Sequence, residues 1–520
     1  MIGTHNEASS WCWGVAGRLG GSRAGRHGSS ARRGGRGVAP RLILALDQGT
    51  SSSRALAFDE HGRVIASARR GIDSVFPQPG WVEQSPATLW SSQLEAGRDV
   101  AEQVGVDSIR AVAIANQRET SLIWHRETLK PLGAAIVWQC RRTADVCEEL
   151  DRSHGTEIRA RSGLKPDAYF SGPKFSWLLD HVDKARDRAA SGALACGTVD
   201  SWLLANLTDS AVHATDVTNA SRTMLWNLSE RRWDDQLCAW QRVPTPALPE
   251  VRASSDEYGL TAPSLFGKQL PILAVAGDQQ AALYGHSITR PGAAKCTYGT
   301  GAFLLSHAGQ VAQPALTPDG LLLTAAADDG FAYEGGMFTA GSTIQWLRDE
   351  LRLAPSSPEI SELAASTDSS EGVMMIPALA GLGSPHWDPD ARGALLGITR
   401  GTTRGHIARA AMESVAFRVR EIVEAMESSG HPIGELRVDG GMTASDVLMQ
   451  IQANALQRSI VRPTMQETTA LGAAKLAMEV SGLNLEIDAE EQRFEPNAEL
   501  EHEFERWSAA RRAVQSIPGG

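Results

Sequence analysis

The same succession of short strands and tight turns occurs twice in this sequence, about 250 residues apart. The first copy consists of three apolar strands, a helix and a fourth strand, at residues 42–46, 54–58, 64–66, 86–104 and 109–115. The second copy has strands at 295–298, 303–305, 321–325 and 331–334, a helix at 342–351 and a strand at 373–377. Short apolar runs between turn residues are typical of buried strands, and tight turns make consecutive strands antiparallel. The repeat therefore predicts an α/β protein of two duplicated domains that meet near Gly285, each with a final strand that joins by a crossover after the helix.

Length and composition agree with a folded protein of at least two domains. The chain has 520 residues, of which 42% are hydrophobic and 21% are charged, and a domain typically contains about 100–200 residues. No apolar run approaches the ~20 residues that cross a bilayer, so we expect no transmembrane segment. The net charge of −11 argues against nucleic acid as a partner. The six cysteines form no C-x-x-C pair, which indicates reduced thiols and a cytoplasmic location.

Residues 1–40 differ in composition from the rest of the chain. They contain six Arg and one Glu, so they carry a charge of +5 and leave −16 on the remainder. Such a segment, rich in Gly, Ser and Arg, cannot bury enough apolar surface to offset the entropy of ordering. The sequence predicts a flexible basic tail, or a start codon assigned too far upstream. In either case we expect residues 1–40 to be dispensable for activity. An organelle transit peptide is the alternative, although the glycines disfavour the amphipathic helix of such peptides.

The two Gly-Thr turns of the repeat are candidate phosphate-binding sites. Residues 47–54 combine one carboxylate, four hydroxyls and one guanidinium, and residues 298–301 form a similar turn. Glycine lets an anion approach the backbone amides and hydroxyls, and Asp47 can hold a Mg²⁺ ion shared with phosphates. No G-x-x-x-x-G-K-[ST] motif is present, which excludes a Walker-type nucleotide protein. Hairpins that simply face water are the alternative, but two similar turns in a duplicated frame favour phosphate.

A third glycine turn follows the predicted strand 437–439. This strand ends in Gly440-Gly441, and a helix is predicted over 443–456. A helix N-terminus that a ligand can approach over glycine suits a nucleotide phosphate. Because strand–glycine–helix turns are common, this turn supports a nucleotide site only together with the other two.

Polar residues follow two more apolar strands. The strand at 112–115 leads to Arg118 and Glu119, and the strand at 272–276 leads to Asp278. Ligands of open α/β sheets lie at such strand ends, where an Arg-Glu pair can bind the neighbouring hydroxyls of a small polyol. A carboxylate there can also accept a proton from a hydroxyl nucleophile. The alternatives are a surface ion pair and an ordinary Gly-Asp turn. Three aromatic residues either wall the same pocket or belong to the core: Trp138, Tyr169 and Phe303.

Seven blocks of this sequence resemble the FGGY family of carbohydrate kinases. They are residues 46–50, 116–120, 136–142, 277–282, 298–301, 342–349 and 439–441. The likeness extends over about residues 41–515 and is specific, because several blocks are long. It implies two duplicated actin-like ATPase domains of the ribonuclease H-like fold, with the active site in the cleft between them. We therefore expect a polyol- and phosphate-binding domain at 41–285 and a nucleotide-binding domain at 286–520.

The resemblance also implies an activity, namely transfer of phosphate from ATP, with Mg²⁺, to the 3-hydroxyl of glycerol. By position, Asp278 would be the general base, and Asp47 and Asp278 would bind the metal. The residues implied for glycerol are Arg118, Glu119, Trp138, Tyr169, Asp278, Gln279 and Phe303. The residues implied for the nucleotide are Thr50, Ser51, Ser52, Arg54, Thr300, Gly341, Gln345, Gly441 and Ser445.

The chain departs from the usual family pattern in three places. Ser445 stands where the family often has Asn near the adenine, a departure that concerns nucleotide preference and affinity and not the chemistry. A glycine-rich basic loop that binds fructose 1,6-bisphosphate in some relatives is missing at 263–269, which predicts insensitivity to that effector. The basic tail has no counterpart. The alternatives are a kinase of another polyol or sugar and a non-catalytic actin-like binding protein, and a homodimer or homotetramer is compatible with either.

Overall fold

The computed structural model describes residues 41–310, 314, 317, 320–483 and 490–517. The predicted basic tail at 1–40 lies outside the described residues. We call residues 41–285 the N-terminal half and residues 286–517 the C-terminal half. Within the described ranges, no helix combines the length and apolar character needed to cross a membrane.

The elements of the N-terminal half alternate between strands and helices. In chain order they are β1 (Leu42–Gln48), β2 (Ser52–Phe58), β3 (Val64–Gly71), β4 (Glu83–Gln84), α1 (Pro86–Val104), β5 (Ile109–Asn116), β6 (Ser121–His125), β7 (Ala135–Ile136), α2 (Ala144–Ser162), α3 (Ser171–His181), α4 (Ala185–Ala190), β8 (Leu194–Thr198), α5 (Val199–Leu207), β9 (Ala214–Asp216), α6 (Val217–Ala220), β10 (Trp226–Asn227), β11 (Arg232–Trp233), α7 (Asp235–Trp240), β12 (Glu250–Arg252), β13 (Ser255–Leu260), α8 (Pro263–Phe266), β14 (Pro271–Gly277) and α9 (Asp278–Gly285).

The C-terminal half continues the alternation. Its elements are β15 (Ala293–Tyr298), β16 (Ala302–Gly309), β17 (Leu322–Ala325), β18 (Phe331–Met337), α10 (Gly341–Asp349), α11 (Ser357–Ala365), β19 (Met374–Ile376), β20 (Ala394–Leu396), α12 (Arg404–Glu427), β21 (Glu435–Asp439), a 3₁₀ helix (Gly441–Ala444), α13 (Asp446–Leu456), β22 (Ile460–Pro463), α14 (Thr468–Ser481), β23 (Glu491–Phe494) and α15 (Glu501–Gln515).

The main sheet of the N-terminal half has the strand order β13-β14-β5-β1-β2-β3. Strand β2 is antiparallel to its neighbours β1 and β3, and β5 runs parallel to both β1 and β14. The hairpins and the crossover predicted from the sequence are therefore confirmed. The connecting helix α1 begins where expected, because the Ser85 side chain accepts a hydrogen bond from Thr88 N and Pro86 occupies the first helical position.

The main sheet of the C-terminal half repeats this arrangement with the order β17-β18-β16-β15-β21-β22-β23. Strands β15, β16 and β18 are antiparallel neighbours, while β21 is parallel to β15 and β22. The duplication predicted from the sequence is thus visible in both sheets. One expectation was wrong: the strand at 373–377 does not follow the crossover into this sheet. It forms β19, which pairs with β20, and β21 takes the place beside β15. A short apolar run indicates a buried strand but not its partner.

Two short, alanine-rich helices lie between the sheets. Helix α9, which ends the N-terminal half, packs against β15 and β16, and α14 from the C-terminal half packs against β1, β5 and β14. They cross closely: a Cβ on Gly472 would lie 1.8 Å from the Ala281 carbonyl oxygen, and one on Gly285 would lie 2.2 Å from that of Thr468. Only glycine at both positions permits this separation. Each half therefore contributes a helix to the other's sheet.

Candidate active site

Three parallel strands of the N-terminal sheet end side by side. Gln48 at the end of β1 and Gly277 at the end of β14 both lie in register with Asn116 of β5. Arg118 follows β5 and Asp278 follows β14, so the strand ends bring these two residues together. The Arg118 Nε atom lies 3.4 Å from Asp278 Oδ1.

The Arg118 guanidinium is held by both halves of the molecule. It pairs in bidentate fashion with Glu334 of β18, at 2.6 Å from Nη1 and 2.9 Å from Nη2. Nη1 also donates to Gln280 Oε1 at 3.2 Å, and Nη2 donates to the Tyr169 hydroxyl at 3.4 Å. Burial raises the pKa of Tyr169, so its phenol remains protonated and can donate to a ligand. The C-terminal half thus fixes the central cation of the predicted polyol site.

A second buried arginine extends this cluster. Arg222 Nε lies 2.5 Å from Glu119 Oε1, and its Nη2 lies 3.1 Å from Glu334 Oε1. Burial alone would raise the pKa of Glu334, but Arg118 and Arg222 hold it at about 2. The two carboxylates and two guanidiniums therefore form an ionised network in which each charge has an opposite neighbour. Removing one member of such a buried network typically costs about 3–5 kcal/mol.

Glu119 adopts an unusual backbone conformation within this network. Its φ of 59° lies in the left-handed region, which is uncommon for residues other than glycine. Its carbonyl accepts hydrogen bonds from Ser121 Oγ at 2.8 Å, Ser171 Oγ at 3.3 Å and Lys174 Nζ at 3.3 Å. Burial lowers the pKa of Lys174 to about 8. These donors keep Glu119 in the conformation that directs its carboxylate toward Arg222.

Asp278 is the first residue of α9 and remains open to the cleft, with 29% of its side chain exposed. Burial raises its pKa to about 6, Arg118 opposes the increase and Glu119 adds to it. The carboxylate is therefore largely ionised at pH 7 yet close to the pH at which it accepts a proton, which suits a general base. Gly277 makes room for the neighbouring arginine, because a Cβ there would lie 2.7 Å from Arg118 Cγ and Cδ.

Aromatic side chains from both halves converge beside these charges. The Trp138 ring lies 5.7 Å from Tyr169 and 5.9 Å from Phe303 of β16, in edge-to-face arrangements. Gln279, predicted to bind the polyol, is buried, and its side-chain oxygen accepts a hydrogen bond from Lys295 of β15. Burial lowers the pKa of Lys295. Contacts thus connect six of the seven residues predicted for the polyol, whereas the Gln279 side chain contacts Lys295.

The first phosphate turn, residues 49–51, has all three of its carbonyl groups occupied. The donors to these carbonyls are, in order, Gln117 Nε2 at 3.2 Å, Gln84 Nε2 at 2.6 Å and Ile72 N at 3.0 Å. Among the described residues the amides of Thr50 and Ser51 have no acceptor. The turn therefore directs its carbonyls to the protein and keeps two N–H groups for an anion.

Arg54, predicted to bind phosphate, stands between two carboxylates. It pairs with Asp47, opposite it on β1, and its Nη1 lies 2.5 Å from Glu467 Oε2. Glu467 directly precedes α14 in the C-terminal half, so this pair also joins the two halves. The Asp47 carboxylate raises the pKa of Arg54. Ser52, another predicted phosphate residue, begins β2 two residues before Arg54.

The second phosphate turn is held by backbone amides. The Thr300 carbonyl accepts hydrogen bonds from Ala340 N at 2.9 Å and Ser342 N at 3.1 Å, and the Gly299 carbonyl accepts one from Gly341 N at 3.0 Å. Within the described ranges, the amide of Thr300 has no acceptor. The start of α10 is thus tied to the turn, which leaves the Thr300 amide for an anion.

The remaining predicted nucleotide residues flank this second turn. Gly341 must be glycine, because a Cβ there would lie 2.5 Å from the Gly299 carbonyl oxygen. Gln345 lies one turn further along α10. Gly441 opens the 3₁₀ helix after β21, and a Cβ there would meet open space. Ser445 has a structural role: it caps α13, and its Oγ accepts from Leu448 N at 3.4 Å. The helix predicted from residue 443 therefore begins at Asp446.

Asp47 and Asp278 are the residues predicted to bind the metal. Asp47 lies near the end of β1 and Asp278 directly follows β14, and β5 lies between these two strands. They are close enough for the Asp47 charge to contribute to the raised pKa of Asp278. No cluster of three or more acidic, His or Cys side chains suited to a metal occurs in the described part of the chain. Two carboxylates nevertheless fit Mg²⁺, which usually keeps several waters and takes further ligands from substrate phosphates.

Sequence reasoning missed Glu334, Arg222, Lys174, Lys295 and Glu467. A signal existed for two of them, because Glu334 and Lys295 are single charged residues within otherwise apolar strands. Charged side chains in such positions are almost never fully buried unless they are paired. Their partners lie on distant segments, and no local pattern identifies them.

Comparison with protein-family models relates this chain to carbohydrate kinases. Residues 42–285 match the N-terminal domain and residues 294–479 match the C-terminal domain of the FGGY family of carbohydrate kinases. A glycerol kinase of Rhodopirellula baltica is 49% identical over 492 residues, covering 91% of this chain and 91% of the relative. One of Trichlorobacter lovleyi is 52% identical over 445 residues, covering 84% and 89%.

Solved structures give the same relationship. The Plasmodium falciparum glycerol kinase with ADP has a TM-score of 0.81 and 31% identity, with 91% of this chain and 98% of that chain covered. A gluconate kinase of Lactobacillus acidophilus also has a TM-score of 0.81, but at 20% identity it is similar in fold alone. The two-domain actin-like fold predicted from the sequence is confirmed.

Proposed function

This chain belongs to the FGGY family of carbohydrate kinases, and we propose that it transfers the γ-phosphoryl group of ATP to the 3-hydroxyl of glycerol. The observation that carries the choice of glycerol is the similarity, over most of the chain, to relatives that are themselves named glycerol kinase. The site agrees with this choice, because charged and hydrogen-bonding side chains beside aromatic rings suit a short polyol. The products are glycerol 3-phosphate and ADP.

In this proposal Asp278 is the general base. Its carboxylate accepts the proton of the glycerol 3-hydroxyl as that oxygen attacks the γ-phosphorus, and the bond to the bridging oxygen of ADP breaks on the opposite side. The raised pKa of about 6 supports the assignment, because a base titrating near the working pH is the most effective. Such assistance contributes roughly 10²- to 10⁴-fold to the rate.

The N-terminal half supplies most of the groups that recognise the polyol. Arg118 and Glu119 bind the hydroxyls that do not react, with Tyr169 and Gln279 as further hydrogen-bonding groups, and Trp138 and Phe303 flank the carbon chain. The arrangement is pre-organised, because the charges of Arg118, Arg222, Glu119 and Glu334 are paired with one another. Pre-organised groups lose little freedom when a ligand binds.

The two glycine turns and the C-terminal half hold the nucleotide. We assign the phosphates to Thr50, Ser51, Ser52, Arg54 and Thr300, and the rest of the nucleotide to Gly341, Gln345 and Gly441, with Ser445 beside them as the cap of α13. This places polyol and phosphate binding in residues 41–285 and nucleotide binding mainly in residues 286–520. The exposed amides of both turns support the phosphate assignment, since backbone N–H groups are strong ligands of anions.

Asp47 and Asp278 would hold a Mg²⁺ ion at the end of the N-terminal sheet. The ion would neutralise negative charge that develops on the transferred group. The carboxylates would share it with phosphate oxygens and water, in keeping with the small number of protein ligands that Mg²⁺ requires.

A coupled assay that detects ADP, run on the purified full chain with glycerol, other polyols, pentoses and gluconate, tests this function. We expect glycerol to give the highest kcat/KM, and preference for a sugar would identify a kinase of that sugar instead. A non-catalytic binding protein would show no glycerol-dependent ADP formation. The cytoplasmic location and the homo-oligomer remain predictions.

A further inference from the structure

We propose that Trp138 and Thr50 couple the polyol pocket to the first phosphate turn, so that each substrate strengthens the binding of the other. The inference rests on the proposed function and concerns one hydrogen bond within it. Trp138 Nε1 donates to Thr50 Oγ1 at 2.9 Å. One residue belongs to the wall of the polyol pocket and the other to the turn assigned to phosphate.

The indole determines how the threonine hydroxyl is oriented. An indole N–H can only donate, so Thr50 Oγ1 must act as the acceptor in this bond. A threonine hydroxyl carries a single proton and two acceptor positions. With one acceptor position occupied by Trp138, the proton of Thr50 remains available for a phosphate oxygen. Trp138 is therefore a positioning residue for the nucleotide as well as a wall for the polyol.

A ring of hydrogen bonds reinforces this link. The Trp138 amide donates to Thr120 Oγ1 at 3.2 Å, and that hydroxyl donates to Gln117 Oε1 at 2.9 Å. Gln117 Nε2 donates to Gln84 Oε1 at 3.0 Å, and Gln84 Nε2 donates to the Thr50 carbonyl at 2.6 Å. The ring thus begins and ends at Thr50 and passes beside the polyol-binding segment.

The direction of every bond in the ring is fixed by chemistry. Thr120 accepts from a backbone amide and donates onward, and the two glutamine amides each use their nitrogen as donor. Trp138 is partly buried, and Gln117 and Gln84 are buried. A polyol that packs on Trp138 restricts its indole, and the restriction passes directly to the Thr50 hydroxyl. A nucleotide phosphate that orders Thr50 restricts the indole in turn.

Such coupling is reciprocal, which makes it measurable from both sides. If MgADP lowers the glycerol Kd by some factor, glycerol must lower the MgADP Kd by the same factor. We expect a factor of roughly 2 to 10, the size of one hydrogen bond. MgADP serves as the nucleotide because no turnover accompanies its binding.

The experiment measures glycerol binding by titration calorimetry on the full chain, with and without saturating MgADP. In the Trp138→Phe variant the ring that contacts the polyol remains but the N–H donor is lost. We expect the ratio of its glycerol Kd without MgADP to its glycerol Kd with MgADP to fall to about 1. The nucleotide KM should rise, with less change in kcat. A loss of wall contact alone would weaken glycerol binding equally in both conditions and would leave the wild-type ratio intact.

Two further variants complete the test. Thr50→Val removes the same bond from the other side, should give the same ratio of about 1, and carries the test if Trp138→Phe does not fold. Trp233→Phe is the matched control, because the Trp233 indole donates to the Pro249 carbonyl at 2.8 Å away from both substrates. Its ratio should equal that of the wild type.

Three outcomes would overturn the inference. The first is a ratio of 1 in the wild type, and the second is a wild-type ratio that Trp138→Phe retains. The third is a further decrease of the ratio in the double variant, relative to Thr50→Val alone. The substrate panel separates this result from the proposed function. If glycerol is not turned over, the proposed function fails, and the ratio is then measured with the polyol or sugar that is.

Discussion

The two phosphate turns occupy equivalent places in duplicated sheets but are held in different ways. Side chains cap two carbonyls of the first turn, through Gln84 and Gln117, and an indole binds its threonine. Backbone amides at the start of α10 cap the second turn. Their surroundings also differ, because Arg118 and Asp278 follow strands of the N-terminal sheet, whereas β21 of the C-terminal sheet ends at Asp439 and continues into Gly440 and Gly441. One half therefore contributes charge and proton transfer, whereas the other contributes close backbone approach.

The sharpest test of this division is the charge at Asp278. Asp278→Asn keeps the shape of the side chain but cannot accept the glycerol proton, so we expect kcat to fall by roughly 10²- to 10⁴-fold. Glycerol affinity should change less, because Arg118 and Glu119 remain. Asp446→Asn is the matched control, since Asp446 also opens a helix but pairs with Arg462 at 2.7 Å on the surface. A folded Asp278→Asn variant that retains more than about a tenth of the wild-type kcat would contradict the general-base role.

Glu334 is where the C-terminal half departs from its backbone role, because it supplies a charge to the polyol site. Glu334→Gln leaves the Arg118 and Arg222 guanidiniums without their shared carboxylate, and we expect a loss of about 3–5 kcal/mol in the free energy of unfolding. In the folded fraction the glycerol KM should rise by about tenfold or more, the cost of a charge-assisted hydrogen bond, and the ATP KM should change less.

Kinetics and denaturant unfolding on the same preparation test this expectation. Glu413→Gln is the control, because Glu413 is buried in the same half and pairs with Arg409 at 2.9 Å away from the cleft. It should lose stability without a change in glycerol KM. An unchanged glycerol KM in Glu334→Gln would mean that the C-terminal half does not take part in polyol recognition.

Gly441 tests the backbone role of the C-terminal half. A Cβ at this position meets no other protein atom within 4 Å, so Gly441→Ala should leave the melting temperature unchanged or slightly higher. If the nucleotide lies over Gly441, the methyl group obstructs it, and we expect the MgADP Kd to rise by about tenfold. Gly401→Ala, in an exposed loop with similar space, is the control. Unaltered MgADP binding would remove Gly441 from the nucleotide site.

The proton-transfer role of the N-terminal half should also appear in the pH dependence of the rate. Because the pKa of Asp278 is raised to about 6, kcat/KM, which follows the free enzyme, should fall about tenfold for each pH unit below that value as the base becomes protonated. Its charged neighbours, Arg118, Glu119, Lys295 and Asp47, all contribute to this pKa. Initial rates at limiting substrates from pH 5 to 8 measure the profile, and MgADP binding over the same pH range shows how much of the change comes from ionisation of the nucleotide. A flat profile would argue against this base.

Linkage gives the sign of the accompanying change in stability. An acid whose pKa is raised by folding binds its proton more tightly in the native state, so ionisation between 3.8 and about 6 lowers the free energy of unfolding. The Asp278→Asn variant should therefore be more stable than the wild type above pH 6, which melting temperatures at pH 5 and 8 will reveal.

Ser445 should give the smallest effect. Its side chain caps α13, so Ser445→Ala should cost about 1 kcal/mol of stability while Ser445→Asn, which caps equally well, should cost almost nothing. Neither change should alter the MgADP Kd by more than about threefold if the serine has only this role. A larger loss of nucleotide affinity in the alanine variant alone would indicate direct contact with the ligand.

The sequence predicted much of this architecture because its signals are local. Apolar runs interrupted by Gly-Thr turns, and a Ser85-Pro86 cap, are sufficient to place strands and helices. The strand at 373–377 was assigned to the wrong sheet because sheet partners are set by contacts over long separations. Glu334 was missed for the same reason: its ion pair with Arg118 joins residues 216 positions apart. Long-range packing thus decides which predicted residues act together.

Because α9 and α14 cross at Gly285 and Gly472, the two copies of the repeat depend on each other for folding. Although the sequence divides cleanly into two copies, a gene cut between them would give two incomplete pieces. The first fragment would leave bare the alanine-rich sheet face that α14 covers, and the second would lack α9 on β15 and β16. We expect each piece to be insoluble alone and the two to reassemble when expressed together. An ancestral duplication has in this way become a single indivisible unit.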